Sequence, residues 1–408
     1  MAQEPPVSPL APASFPELPT IDGVTFSTCA AGVRYQGRPD VMLAELRPGT
    51  AIAGVFTRSS TRAAPVLDCQ AKLGGVNDHG AAILVNSGNA NAFTGRAGLE
   101  AVNAITQSVA DQLNLLQHRV FTASTGVIGE PLPHDRVTQS IGQLADSLHP
   151  DGIADAARAI MTTDTFAKGA HQQVQINGQT VRIAGIAKGS GMIAPDMATM
   201  LVYVFTDAAI DQEHLQAITS ECAEQTFNRI TVDSDTSTSD TVMVAATGAS
   251  DVDVTQDPSF KTGLYDVMLD LAHQVVRDGE GATKFIEISV NGAQSEVDAK
   301  THALSIANSP LVKTAVAGED PNWGRVVMAI GKSGAHADRD LISIKFGEEL
   351  VAKNGWVHSN YDESKAAAHM KGSHIRIQVD LGLGTSGVTV WTCDLTHGYI
   401  SINADYRS

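Results

Sequence analysis

The chain has 408 residues, 43% of them apolar, which is enough for a substantial buried core in two or three domain-sized units. Its 28 basic against 45 acidic residues give a formal net charge of −17. With no basic run to offset that balance, nucleic acid and anionic membrane surfaces are excluded as expected partners.

Residues 1–20 read as a disordered Pro-rich tail, without the basic start and apolar stretch of a secretory signal. From Val24 to Ala92 the pattern is mostly strand and turn, with apolar runs at Val41–Leu46, Thr50–Phe56 and Ala81–Val85. Apolar residues at three- and four-residue spacing predict a helix over 98–115, and 119–128 reads as a strand ending in Ser124-Thr-Gly-Val-Ile-Gly129. Helices are predicted over 135–147 and 152–163. Asn177-Gly178 between alternating runs at 173–176 and 180–183 predicts a hairpin. Further along, strands are predicted at 200–205, 241–246, 284–290, 341–347, 374–380 and 388–393, with helices near 211–227, 260–277 and 360–370. Helices and strands alternate irregularly, so the expected fold class is α/β (α+β), mixed sheets layered with helices.

Several motifs mislead. Gly382-Leu-Gly-Thr-Ser-Gly387 has dinucleotide-loop spacing, but strands flank it on both sides, and it is expected to be a hairpin loop. Cys29, Cys69, Cys222 and Cys393 are far apart and form no C-x-x-C pair. They read as buried apolar side chains of a reducing, cytoplasmic compartment. The histidines lack ligand spacing, so no metal is expected. Thr231–Asp240 lacks the central Gly and terminal Glu of a calcium loop and reads as a polar loop lining a site. No apolar run approaches the roughly 18 residues of a membrane span.

The informative segment is Lys188-Gly-Ser-Gly-Met-Ile-Ala-Pro-Asp-Met-Ala-Thr-Met-Leu201. A glycine-rich loop delivers Thr199 to the mouth of a buried strand near mid-chain. A threonine hydroxyl there can attack the preceding carbonyl, that of Ala198, and water then releases Thr199 as a new N-terminus. The freed amine is the base for its own hydroxyl. Other polar segments supply partners. Ser124-Thr125-Gly126 offers a hydroxyl and open backbone N–H groups, the parts of an oxyanion hole. Thr162-Thr-Asp-Thr165 and Lys188 add donors, Arg277–Lys284 carries Glu280 between glycines, and Ile402–Ser408 is polar.

Taken in order, these segments resemble the ornithine acetyltransferase family, the bifunctional glutamate N-acetyltransferases of arginine biosynthesis. The resemblance runs from Gly23 to Ser408. Its carriers also include Val85-Asn-Ser-Gly-Asn-Ala-Asn-Ala92, Met161-Thr-Thr-Asp-Thr165, Asp278-Gly-Glu-Gly-Ala-Thr-Lys284, Ala307-Asn-Ser-Pro-Leu-Val-Lys313 and Gly318-Glu-Asp-Pro-Asn-Trp-Gly-Arg325. It implies a self-processing N-terminal-threonine acyltransferase architecture, cut between Ala198 and Thr199 into an α chain, 21–198 after the tail, and a β chain, 199–408. Thr199 is then the nucleophile, and Thr125 with Gly126 the oxyanion hole. Substrate contacts fall to Thr162, Lys188, Thr199, Glu280, Asn403 and Ser408, the last often a threonine in the family.

The implied reaction is ping-pong acetyl transfer from N-acetylornithine to glutamate, with no bound cofactor, acetyl-CoA as a second acetyl donor, and an α2β2 assembly. Lys188 is expected to face a substrate carboxylate and Glu280 a substrate ammonium. Two other classes compete with this reading: a self-processing amidohydrolase or aminopeptidase, in which water is the acyl acceptor, and an inactive binding protein that keeps the fold.

Overall fold

The computed structural model describes residues 6–75, 78–194 and 200–405. The described chain divides into a larger unit, 12–228 with 235–275, and a smaller one, 6–11 with 229–234 and 276–405. In the larger unit the apolar runs of the first 130 residues become β1 (Val24–Cys29), β2 (Val41–Leu46), β3 (Ala51–Phe56), α1 (Ala64–Lys72), β4 (Ala81–Asn89), α2 (Gly95–Leu113) and β5 (Val120–Val127). There follow α3 (His134–Asp146), α4 (Ile153–Ala159), β6 (Lys168–Ile176), β7 (Gln179–Lys188), β8 (Leu201–Thr206), α5 (Gln212–Gln225), β9 (Thr241–Ala246) and α6 (Pro258–Arg277).

These strands form two sheets, ordered β1-β2-β4-β5 and β3-β9-β8-β7-β6. Phe26, Met42, Ile83 and Phe121 of the first sheet meet Ile186, Tyr203, Phe205 and Met243 of the second in one apolar layer. The other face of the first sheet packs on Ile105 and Val109 of α2 and Ile141 and Leu144 of α3. On the far side of the second sheet, Leu271 and Val267 of α6 lie against Gly185, where a Cβ would meet them at 2.9 and 3.2 Å. The layers therefore run helix, sheet, sheet, helix, as the alternation of elements predicted. Strand β8 is covered on both faces and every one of its residues is buried. The Asn177-Gly178 turn takes positive φ at both residues, as a two-residue hairpin requires.

The outer edge of β3 is closed by side chains. Gln212 and Gln216, one turn apart on α5, each accept the N–H and donate to the C=O of Ile52 and Gly54 respectively, at 2.7–3.0 Å. Two amides thus stand in for a missing strand on an edge that would otherwise be open to pairing.

In the smaller unit, β10 (Phe285–Ala293), α7 (Glu296–Ala307), α8 (Pro310–Ala317), α9 (Trp323–Gly331), β11 (Ser343–Phe346), β12 (Glu349–Lys353), β13 (Trp356–Val357), α10 (Glu363–Met370), β14 (His374–Asp380), β15 (Ser386–Cys393) and α11 (His397–Asp405) build a six-stranded sheet, β13-β12-β11-β14-β10-β15. Three helices, α7 to α9, fill a stretch where no element was predicted.

Two expectations are corrected. The loop 382–387 is not a hairpin, because β10 lies between β14 and β15, parallel to one and antiparallel to the other. Residues 6–20 are not a free tail. Phe15 and Leu18 pack on the apolar layer of the larger unit, and in the smaller unit Ser8 donates to Arg277 O at 2.6 Å. Apolar anchors spaced among prolines need no backbone partners to hold a segment down.

Phe205 has no exposed surface and meets Phe26 edge-on at 5.0 Å. Phe205→Ala is expected to cost about 3–5 kcal/mol, read as a lower denaturation midpoint.

Candidate active site

Strand β5 runs parallel to β4, with Ser87 opposite Thr125 and Gly88 opposite Gly126. The asparagine-rich end of β4 fixes that junction. Asn86 accepts from Ser124 Oγ at 2.6 Å and donates to Asn89 O at 2.9 Å, while Asn89 accepts the Asn91 N–H at 2.8 Å. Gly126 has φ +134°, and a Cβ there would overlap the Gly88 backbone, so the position takes only glycine. The motif at 85–92 is thereby explained as the brace behind Ser124-Thr125-Gly126.

Strand β7 brings Lys188 to the same place. Its Nζ donates to Thr125 Oγ1 at 3.3 Å, and both side chains are almost fully buried. Beside them Asp164 ties four groups together. Its Oδ1 accepts from Lys168 Nζ at 2.7 Å and Gly189 N at 2.6 Å. Its Oδ2 accepts from Thr162 N at 2.9 Å and lies 3.9 Å from Lys188 Nζ. Burial pushes the Asp164 carboxyl up, but the Lys168 and Lys188 ammonium groups and the hydrogen bonds outweigh it and hold it well below the usual carboxylate range. Thr162 is half-buried, and its neighbour Thr163 shares a 2.7 Å hydroxyl contact with Ser190 of the glycine-rich loop. Thr162 and Lys188 thus share one buried carboxylate, and Lys188 links it to Thr125.

A second carboxyl stands at the start of β9. Asp240 is fully buried, its Oδ1 accepts the Met200 N–H at 3.2 Å, and Oδ2 makes no hydrogen bond among the described residues. Burial drives it well above the usual carboxylate range, and the Met200 amide, the Ser237 hydroxyl, the Lys188 charge and the Thr57 hydroxyl draw it back less than that. Burial thus favours the protonated form of Asp240. Met200 O accepts from Thr241 N at 3.1 Å, so both backbone groups of Met200 are fixed by residues 240–241.

In the smaller unit Asn403, on α11, donates to Glu280 Oε2 at 2.8 Å. The glycines around Glu280 permit this. Gly281 has φ +72°, and a Cβ on it would strike the backbone of Gly398 and Tyr399. Thr396 Oγ1 bonds Gly281 O at 2.6 Å, and Asp394 caps Thr283 and Lys284. Two expected substrate contacts, 123 residues apart, are in direct contact.

Ala198, Thr199 and Ser408 lie outside the described residues. Asp164, Lys168 and Asp240 carried no role in the sequence reading, although Asp164 sits inside the quoted 161–165 motif and Asp240 ends the polar loop. A cavity of about 810 Å³ lined by Gly54, Phe56, Leu73, Gln212 and Gln216 includes none of the expected site residues. Among the described residues no cluster of His, Cys, Asp or Glu is arranged to hold a metal.

The sequence matches the ArgJ family over residues 25–408. A protein of Ruegeria pomeroyi named arginine biosynthesis bifunctional protein ArgJ is 68% identical over 408 residues, covering 100% of both chains. The chain belongs to the ArgJ family. A second ArgJ protein, from Gluconobacter oxydans, is 57% identical over 100% of this chain and 97% of its own. A solved ArgJ structure from Bacillus halodurans is 42% identical, covering 50% of this chain and 98% of that one with a TM-score of 0.49. The family expected from the motifs is the one found.

For Asp240 the sign of the pH effect follows from its raised value. The folded chain binds the proton more tightly than the unfolded one, so stability falls as pH rises from the unfolded pKa, about 3.9, toward the folded one. In a Thr199→Ala chain, Asp240→Asn keeps the acceptor for Met200 and removes the titration. Its denaturation midpoint relative to the parent is expected to rise between pH 4 and pH 7; a constant difference across that range would contradict the neutral acid.

Proposed function

We propose that this chain is a self-processing acetyltransferase that moves the acetyl group of N2-acetylornithine to glutamate in arginine biosynthesis, and also acetylates glutamate from acetyl-CoA. End-to-end identity with bifunctional ArgJ proteins supports the reaction class. The observation that carries the site is the Lys188–Thr125 contact at 3.3 Å, which joins an expected substrate contact to the expected oxyanion group across 63 residues of chain.

In the first step the Thr199 hydroxyl adds to the Ala198 carbonyl and the C–N bond breaks, leaving an ester. The broken C–N bond leaves Thr199 with a free amine, and water then hydrolyses the ester to an Ala198 carboxylate and the Thr199 hydroxyl. A free α-amine has a pKa of about 7.7–8.0, so a useful fraction is neutral near pH 7 and accepts the hydroxyl proton. Thr199 then attacks the acetyl carbonyl, ornithine leaves, and glutamate takes the acetyl group from the Thr199 ester. Each half-reaction passes through a tetrahedral oxyanion, for which Thr125 and Gly126 are the donors, each worth about 2.7–4 kcal/mol. Thr162, Lys188, Glu280, Asn403 and Ser408 complete the substrate contacts. No motif in the chain reads coenzyme A, so the second donor rests on the relatives' bifunctional name.

The second sheet of the larger unit supports a stable two-fragment product. Strands β3, β6 and β7 precede the proposed cut and β8 and β9 follow it, with Lys188 paired to Leu201 and β9 paired to β3. Cutting between them leaves both fragments in one hydrogen-bonded sheet, the basis for an αβ protomer and, with the family's assembly, α2β2. The four free cysteines are all buried, which fits a reducing cytoplasm, and among the described residues no helix is long and apolar enough to cross a membrane.

Denaturing intact-mass spectrometry is expected to show two fragments, the second beginning Thr199-Met200-Leu201, that co-elute under native conditions. Thr199→Ala is expected to give one uncut chain without acetyl transfer. A wild-type protein that stays whole, or that releases acetate in place of acetylglutamate, would contradict this reading. Glu280→Gln is expected to lower kcat/KM for acetylornithine at least about tenfold through loss of the ammonium partner; an unchanged value would remove Glu280 from that role.

A further inference from the structure

The geometry around Lys188 gives it a task beside any substrate contact. An ammonium group has three donors and no lone pair, so in the Lys188–Thr125 contact the threonine oxygen must accept. The Thr125 hydroxyl proton is therefore directed to a different acceptor. A hydroxyl that accepts from a cation also donates more strongly, because the bonds polarise one another. Lys188 is 3% exposed, so little water screens its charge at that oxygen. Its position is set from the other side by Asp164, which is locked in turn by Lys168, Gly189 and Thr162.

We infer that Lys188 is a positioning residue of the oxyanion site: anchored by Asp164, its ammonium fixes Thr125 Oγ1 as an acceptor and turns the Thr125 hydroxyl proton toward the oxygen of the tetrahedral intermediate. This rests on acetyl transfer at Thr199. No bond is made or broken at Lys188, and its proton stays in place. The negative charge that develops on the former acetyl carbonyl oxygen is met by the Thr125 O–H, strengthened by the ammonium behind it. Such a role weakens the transition state alike for every acetyl donor when Lys188 is removed. A carboxylate reader would instead act on substrates that carry the carboxylate, and chiefly through KM.

The test is a cycle of Lys188→Met, Thr125→Val and the double variant, each confirmed as cleaved by mass. They are assayed with N2-acetylornithine and with N-acetyl-1,4-diaminobutane, which lacks the α-carboxylate. Lys188→Met is expected to lower kcat about 100-fold, the scale of one oxyanion donor, by a similar factor on both donors. In the Thr125→Val background the same substitution is expected to cost less than about threefold, since the two act as one unit. A penalty that disappears with the decarboxylated donor, or one that persists in full without the Thr125 hydroxyl, overturns the inference. The Thr125→Val arm needs only acetylornithine, so the coupling between the two residues is measured even where the donor analogue is not turned over. If Lys188→Met remains uncut, Lys188→Arg, which keeps the cation and displaces the donor, carries the same cycle. Wild-type enzyme without acetyl transfer would sink the functional reading itself, an outcome visible before any variant is made.

Discussion

Asp164 is a carboxylate without exposed surface, set between the ammonium groups of Lys168 and Lys188. Removing one partner of such a buried pair typically costs about 3–5 kcal/mol, because the remaining charge is left in a medium that solvates it poorly. The larger unit is built so that this does not happen. Both carboxylate oxygens are occupied, by Lys168, Gly189 and the Thr162 amide as well as by the charge of Lys188. One ion thereby fixes the end of β7, the start of the glycine-rich loop and the segment after α4. Lys188 and Thr162 project from two of those places, while Thr125 and Gly126 come from β5.

The two buried carboxyls differ for a physical reason. Asp164 faces two cations and two amides and is pulled below the usual carboxylate range, whereas Asp240 faces one amide, two hydroxyls and a single cation and is pushed above it by burial. Environments that push two carboxyls in opposite directions are a common mark of a reactive centre. Here they lie at the two ends of the chain segment that joins β7 to β8. Each unit also fixes its own backbone by close approach: Gly126 against Gly88 in the larger, and Gly281 against Gly398 in the smaller.

Much of this was legible in advance. Apolar runs gave β2, β3 and β9 and an alternating run gave β14 nearly to the residue, and Asn177-Gly178 gave the β6–β7 hairpin, because local chemistry decides such elements. Helices α7, α8 and α9 were missed although Ser295, Ser309 and Asn322 each cap one by accepting a backbone N–H. Their short apolar faces are completed only by the sheet they cover. The 382–387 loop was misread because two neighbouring strands in sequence suggest a hairpin. Nothing local reports that β10, some ninety residues earlier, inserts between them.

For the site, the sequence by itself determined the family and the residue types. Ordered motifs of Gly, Ser, Thr and Asn need specific φ values and hydroxyls wherever they occur, and that need is written locally. Only the tertiary structure decided what those residues do to one another. That Lys188 donates to Thr125, that Asp164 sits between two lysines, and that Asp240 is buried against the Met200 amide are matters of distance and burial. They arise when β5, β7 and β9 converge, and in a medium that screens charge so weakly, a few ångströms decide which carboxyl keeps its proton.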